Sequence, residues 1–263
     1  MSATRTPAGF RTRTLSCTNT KSLLDHTNFS HWAAGMRDSA TDLATVGFVV
    51  LLPAQLLDRG AHAFEGTGIG WGAQSVWPGT SPPTGEIAAE ALSHAGCQYV
   101  MCGHPERRSA LGEDDATVAA AAEATAAHAM IPIVCVGERE RTTTREAVRT
   151  TAAQAGVVLD ALPADAPLVW LYEPPWTSAV HRAAPPGQVA AVCASLRELS
   201  GGRTARLRVL YGGAVAPGVL PALTEEGRGP DGLGVGRAAY DPEQRKGVIA
   251  DLLALAAEGG GAP

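Results

Sequence analysis

Eight short apolar runs recur along the chain, each followed by a longer Ala-rich or amphipathic stretch. The runs are Thr14–Thr18, Gly47–Leu52, Ile69–Gln74, Tyr99–Gly103, Pro132–Val136, Leu168–Glu173, Leu207–Gly212 and Asp231–Val235. Runs of this length with few charges read as strands buried on both faces. The intervening stretches Glu86–Ala95, Asp114–Ala129, Thr144–Leu162, Pro186–Leu199 and Pro242–Ala257 read as helices. Alternation of strand and helix predicts an α/β protein whose parallel strands are joined by crossover helices. Eight such units predict a closed (β/α)8 barrel. The alternative, an open doubly wound sheet, usually shows a G-x-G-x-x-G turn after its first strand. None follows here, and the glycine-rich Gly66–Gly72 leads into a strand, as an αβ turn would.

A length of 263 residues with 45% hydrophobic content suits one such barrel without a linker. Residues 14–258 are expected to form it. Residues 1–13 carry Arg5, Arg11 and Arg13 with no acid and no following apolar segment, so a flexible N-terminal extension is expected there. Residues 259–263 are expected to be a flexible tail.

The unusual polar residues cluster just after the strands. Asn19 and Lys21 follow the first run, and Gln74 ends the third. His104 and Glu106 follow the fourth, while Cys135, Gly137 and Glu138 lie at the end of the fifth. Glu173 closes the sixth, Gly212 and Gly213 follow the seventh, and Gly236 and Arg237 the eighth. In a parallel barrel these positions converge on one rim, where active sites form.

Leu168 to Trp176 is the most informative stretch: Leu-Val-Trp-Leu-Tyr-Glu-Pro-Pro-Trp. An apolar strand ends in a single carboxylate, Glu173, and Pro174 and Pro175 cannot extend a sheet ladder. A charge at the tip of a buried strand needs a task or a partner. A carboxylate beneath a loop that can move is the layout of a general base under a lid. The plainer reading is an N-cap or surface acid, and the rest of the chain weighs against it.

The other rim residues add compatible chemistry. The glycine turns Tyr211-Gly212-Gly213-Ala214 and Gly234-Val235-Gly236-Arg237 follow the last two strands, where barrels often hold a phosphate on backbone N–H groups. Lys21, one of only two lysines, suits an anionic ligand. His104 precedes Pro105, a favoured first helical residue, and a helix N-terminus beside an imidazole favours the neutral ring. A carboxylate base, a neutral imidazole and a phosphate grip suit proton abstraction next to a carbonyl. No nucleophile elbow, P-loop or metal-ligand spacing competes with that reading.

The net charge of −5 argues against nucleic acid or an anionic membrane as the main partner. The five cysteines (17, 97, 102, 135 and 193) show no CxxC spacing, which fits reduced thiols in the cytoplasm.

In these stretches the chain resembles triosephosphate isomerase, over nearly its whole length. The matching residues are Asn19-Thr20-Lys21, Gly72-Ala73-Gln74, Thr84-Gly85-Glu86, Gly103-His104-Pro105-Glu106-Arg107-Arg108, Cys135-Val136-Gly137-Glu138, Tyr172-Glu173-Pro174-Pro175-Trp176, Tyr211-Gly212-Gly213 and Asp231-Gly232-Leu233-Gly234-Val235-Gly236. That enzyme is a standard case of pKa tuning, so the roles that follow are carried over from it. The resemblance implies a cofactor-independent aldose–ketose isomerase of a small phosphorylated sugar. Glu173 would be the base and His104 the electrophile, with Asn19 and Lys21 holding the substrate and Glu106 and Cys135 supporting the site. Gly212, Gly213, Gly236, Arg237 and Ala179 would face the substrate phosphate, and Trp176 and Tyr211 would serve the lid. Gln74 and Thr84 would belong to a loop that crosses into a second copy, which implies a homodimer.

Several positions depart from the family pattern. Asn19-Thr20-Lys21-Ser22-Leu23 replaces Asn-Trp-Lys-Met-Asn, and Thr177-Ser178-Ala179-Val180-His181-Arg182 replaces a glycine-containing lid. Ala214 and Pro105 each replace a serine, and Arg237 replaces a glycine. Gly236-Arg237-Ala238 is similar to the ending in homologues that isomerise erythrulose phosphates, which makes a four-carbon substrate the alternative to triose phosphate. A rival from another class is a barrel that only binds a sugar phosphate or a protein partner. The retained Glu173 and His104 argue against it, because a binder needs no base.

Overall fold

The computed structural model describes residues 12–225 and 229–258, so the segments 1–11 and 259–263 lie outside the described residues. Eight parallel strands close on themselves in chain order. They are β1 (Ser16–Asn19), β2 (Phe48–Leu52), β3 (Gly70–Ala73), β4 (Tyr99–Cys102), β5 (Ile131–Val136), β6 (Leu168–Tyr172), β7 (Leu207–Tyr211) and β8 (Gly232–Val235). Closure is made by β8 against β1, with Gly234 opposite Cys17 and Val235 opposite Thr18. The expected (β/α)8 barrel is the observed one, with every strand inside or within a residue or two of its apolar run.

Each strand is buried on both faces, so the continuous apolar runs hide an alternation with period two. On β2, Val49 and Leu51 point into the barrel with Cys17, Met101, Ile133, Cys135, Leu171 and Leu210. Phe48, Val50 and Leu52 point outward into the shell packed against the helices. Few polar side chains lie within the strands, Ser16 and Thr18 on β1 and Arg208 on β7 among them, so most of the polar chemistry gathers at the strand ends.

The helices are α1 (Phe29–Asp38), α2 (Ala40–Thr45), α3 (Leu57–Phe64), α4 (Ala89–His94), α5 (Pro105–Leu111), α6 (Asp115–Ala127), α7 (Thr144–Ala161), α8 (Trp176–Ala179), α9 (Pro186–Ser200), α10 (Val219–Thr224) and α11 (Pro242–Glu258). The best-signalled starts are capped by side chains. Asp114 accepts from the Thr117 N–H at 2.8 Å, and Thr143 accepts from the Glu146 N–H at 3.3 Å. By contrast, α1, α3 and α10 have no side-chain cap, and α10 contains Pro221, so their sequences carry weak signals. The stretch expected to be helical from Glu86 starts only at Ala89. Ala88 is extended and bridges Trp77 across the preceding loop.

Gly72 on β3 shows how closely the strands pack. A methyl group there would lie 1.8 Å from the Tyr99 carbonyl oxygen and 2.6 Å from its carbon. Neighbouring backbone in a closed barrel cannot retreat as a flexible side chain can. Gly72→Ala is therefore expected to destabilise the barrel by about 3 kcal/mol. Urea unfolding reads this directly, and an unchanged midpoint would show that the strands can part.

Candidate active site

Glu173 leaves the barrel directly after β6, with its N–H donated to the Val136 carbonyl at 2.9 Å. This bond fixes the carboxylate at the rim, where its side chain is 19% exposed. Oε1 lies 3.6 Å from His104 Nε2, and the imidazole is 6% exposed. Residues 69 positions apart in sequence thus face one another across the tips of β4 and β6.

His104 owes its orientation to its neighbours. Gly103 turns in the left-handed region at φ 70°, and His104 then caps α5 with Pro105 at the first turn. The Glu106 N–H donates to His104 Nδ1 at 3.2 Å. An accepting Nδ1 carries no proton, so the neutral ring has its proton on Nε2, the atom facing Glu173. The imidazole can therefore donate a hydrogen bond to an oxygen placed beside the carboxylate.

Cys135 closes the floor under the base, with its thiol 3.9 Å from Glu173 Oε2. Burial, and then the charge of Glu173, push the thiol pKa well up. The sulfur thus remains a protonated donor and not a nucleophile. All five cysteines are free and buried, and burial pushes Cys97, Cys102 and Cys193 up to about 12.

Lys21 reaches the site from the loop after β1. Its Nζ lies 2.5 Å from Glu106 Oε1. Its backbone is left-handed at φ 48°, which side chains tolerate only under constraint. The constraint is visible. The Lys21 N–H donates to Asn19 Oδ1 at 2.9 Å, and its carbonyl accepts from Gln74 Nε2 at 3.0 Å. Gln74 also donates to Thr20 Oγ1, and the Tyr240 hydroxyl donates to the Thr20 carbonyl at 2.6 Å. Asn19 Nδ2 points across the barrel to Met101 Sδ at 3.3 Å.

Burial raises the Glu106 pKa, but the hydrogen bond and charge of Lys21, followed by His104, outweigh it and hold it below the usual carboxylate range. A depressed carboxylate pKa stabilises the fold at neutral pH, and that contribution is lost as pH falls through the folded-state value. Glu106 is exposed, so the pair adds little stability and acts mainly to place the Lys21 ammonium.

The glycine turns after β7 and β8 lie against each other and against the base. A methyl group on Gly234 would sit 3.1 Å from Gly212 Cα, and one on Gly212 would sit 3.3 Å from Glu173 Cβ. Gly213 and Gly236 follow Gly212 and β8 in the chain, and Arg237 opens a short 3-10 turn after β8. Ala179 ends α8 and is exposed, and Thr84 is exposed in the loop between β3 and α4. Neither touches the cluster around Glu173 through any side-chain hydrogen bond. On the other flank of Glu173, a cavity of about 480 Å³ is bordered by Glu106, Ser109, Cys135 and Arg139.

Beneath the lid lies a polar cluster that the sequence reading did not foresee. Glu138 is only 4% exposed, and it forms no salt bridge among the described residues. It accepts from the Tyr172 hydroxyl at 3.0 Å, Trp176 Nε1 at 2.9 Å and Gln188 Nε2 at 2.9 Å. Three neutral donors satisfy a carboxylate that burial would otherwise penalise. Glu138 stands just after an apolar strand, the same signal that marked Glu173. Gln188 and Tyr240 carried none.

Known proteins share this architecture and sequence. The family described as triosephosphate isomerase matches residues 15–255. A triosephosphate isomerase from Symbiobacterium thermophilum is 36% identical over 82% of this chain and 86% of its own. An L-erythrulose-1-phosphate isomerase from Pectobacterium atrosepticum is 34% identical over 71% of this chain and 73% of its own. The crystal structure of triosephosphate isomerase from Bartonella henselae superposes with a TM-score of 0.77 at 27% identity, covering 92% of this chain and 99% of that one. With an eight-stranded barrel in the same order and a profile match along almost its whole length, this chain belongs to the triosephosphate isomerase family, a family of isomerases.

Proposed function

We propose that the chain isomerises a small sugar phosphate by moving a proton between two adjacent carbons. The observation that carries this is the facing pair at one rim, Glu173 Oε1 at 3.6 Å from His104 Nε2, with Nδ1 held as an acceptor. Glu173 removes a proton from the carbon beside the carbonyl, and Nε2–H of His104 donates to the carbonyl oxygen. The electron pair left by the C–H bond forms the enediolate, whose oxygen charge is offset by Nε2–H and by the Lys21 ammonium. The proton of the neighbouring hydroxyl passes to the former carbonyl oxygen, Glu173 returns the carbon-bound proton to the carbon that carried the carbonyl, and the carbonyl thereby shifts by one position. Gly213 and Gly236 offer backbone N–H groups to the phosphate, and Arg237 adds a cation beside them; the N–H of Gly212 is donated to the Tyr172 carbonyl at 2.9 Å, and its lack of a side chain leaves room at the turn. Asn19 holds the substrate. The proposed reaction needs no cofactor. Trp176 and Tyr211 anchor the lid, and a homodimer contacting through the Gln74–Thr84 loop in the cytoplasm completes the proposal. Among the described residues, no helix is long and apolar enough to cross a membrane.

Triose phosphate is the first substrate to test. A four-carbon ketose phosphate is the second, favoured by the Gly236-Arg237-Ala238 ending and by the 34% identity to an L-erythrulose-1-phosphate isomerase. Isomerisation by purified protein should be compared on glyceraldehyde 3-phosphate and on erythrulose 1- and 4-phosphates. Turnover of at least one is expected, and higher kcat/KM on the erythrulose phosphates would assign Arg237, Ala214 and the altered lid to specificity. Binding without turnover on all three would replace the isomerase by a sugar-phosphate-binding barrel.

A further inference from the structure

The left-handed backbone of Lys21, at φ 48°, lies between two peptide planes, and both planes are pinned. Neither N–Cα nor Cα–C can rotate to a relaxed value while they stay in place. In the plane before Lys21, its own N–H donates to Asn19 Oδ1 at 2.9 Å. The carbonyl of that plane belongs to Thr20. It accepts from the Leu23 N–H at 3.2 Å and from the Tyr240 hydroxyl at 2.6 Å. In the plane after Lys21, the carbonyl accepts from Gln74 Nε2 at 3.0 Å. Asn19 and Leu23 are close in the chain, whereas Tyr240 arrives from the turn after β8.

That turn is itself held. The Ala239 N–H donates to the Gly236 carbonyl at 3.1 Å, and the Tyr240 N–H to the Arg237 carbonyl at 3.0 Å. The Ala239 carbonyl accepts from Trp32 Nε1 at 3.3 Å and from Arg245 Nη1 at 3.1 Å. The Tyr240 ring lies beside the Trp32 ring, with centroids 5.9 Å apart. The phenol is thus a short strut from the turn that carries Gly236 and Arg237 to the loop that carries Lys21.

We propose that Tyr240 is a positioning residue whose hydroxyl holds the backbone of Lys21 and sets the ammonium at a fixed spacing from the turn after β8. The Lys21 side chain is 41% exposed and ends on the more exposed Glu106, so its direction depends more on its backbone than on that ion pair. A left-handed residue released from its restraints relaxes to an ordinary conformation, which redirects its side chain. The consequence for turnover rests on the isomerase reading above, whereas the strut itself does not.

The test is hydrogen exchange of the full chain, read by mass spectrometry on a peptide covering residues 19–24. Tyr240→Phe keeps the ring beside Trp32 and removes only the hydroxyl. It is expected to speed exchange in that peptide about fivefold, the worth of one hydrogen bond, with the melting temperature and the exchange of β5 unchanged. With an accepted substrate, kcat/KM should fall about fivefold, mostly through KM, because Lys21 holds the anion in ground and transition states alike. Wild-type exchange at residues 19–24 would overturn the strut. Faster exchange throughout the chain with a lower melting temperature would make Tyr240 a packing residue, and would overturn it too. Faster local exchange with unchanged kinetics would remove the link to Lys21. Should Tyr240→Phe fail to fold, Tyr240→Met fills similar space without a hydroxyl, and wild-type exchange in it would sink the proposal. Faster local exchange in Tyr240→Phe, when the wild-type protein turns over no substrate, would keep the strut and remove the isomerase reading.

Discussion

Replacing Glu173 by aspartate is expected to lower kcat by about a hundredfold, with KM changed only a few-fold. The substitution keeps the charge and shortens the side chain by one methylene, which withdraws the carboxylate by about 1 Å. Nothing in the structure lets the carboxylate recover that distance. The Glu173 backbone is tied to the Val136 carbonyl at 2.9 Å, and Pro174 follows at once. A methyl group on Gly137 would already lie 2.9 Å from the Glu173 carbonyl oxygen, so the strand tips cannot shift inward without a clash. In the proposed reaction the substrate is held by other groups, Lys21 and the glycine turns, so its binding should survive. An effect on kcat that exceeds the effect on KM marks an interaction made in the transition state. Steady-state kinetics of the purified variant give both numbers. Turnover within a few-fold of wild type would remove Glu173 from the role of base.

His104→Asn is expected to lower kcat by about 10² to 10³, the range for losing one oriented donor at a developing oxyanion. This substitution separates the two tasks that His104 performs. One is to cap α5, where Nδ1 accepts the Glu106 N–H at 3.2 Å. Asparagine is a good N-cap, so the helix should keep its start and the protein its stability. The other is to present Nε2–H beside Glu173, and the shorter amide cannot reach that point. Thermal unfolding should therefore stay near wild type while turnover collapses. A large fall in melting temperature with turnover preserved would make His104 a structural cap only.

Much of this protein was readable from its residues. The alternation of apolar runs and helical stretches predicted eight parallel strands because burial on both strand faces leaves a continuous apolar signature. Glu173 stood out because a charge at the end of such a run has few cheap explanations. The capped helices α6 and α7 were legible from Asp114 and Thr143, whose side chains act within one turn of their own position. Helices α1, α3 and α10 were not, because they lack such caps and are held by packing against the barrel.

By itself, then, the sequence determined the barrel, the rim on which the polar residues gather, and the candidate base and electrophile. These depend on local pattern and on the single direction of parallel strands. The tertiary structure alone decided which groups meet. It placed Glu138 among Tyr172, Trp176 and Gln188, and Tyr240 on the Thr20 carbonyl 220 residues away. It brought the Gln74 amide onto the Lys21 carbonyl, 53 residues away in sequence. It also brought the Ala184 N–H onto the Tyr211 hydroxyl at the exit of the lid, at 2.8 Å. The physical reason is common to all four. A hydrogen bond depends on the distance between atoms in space, and the residue types involved are too ordinary to announce a partner that only chain folding brings near.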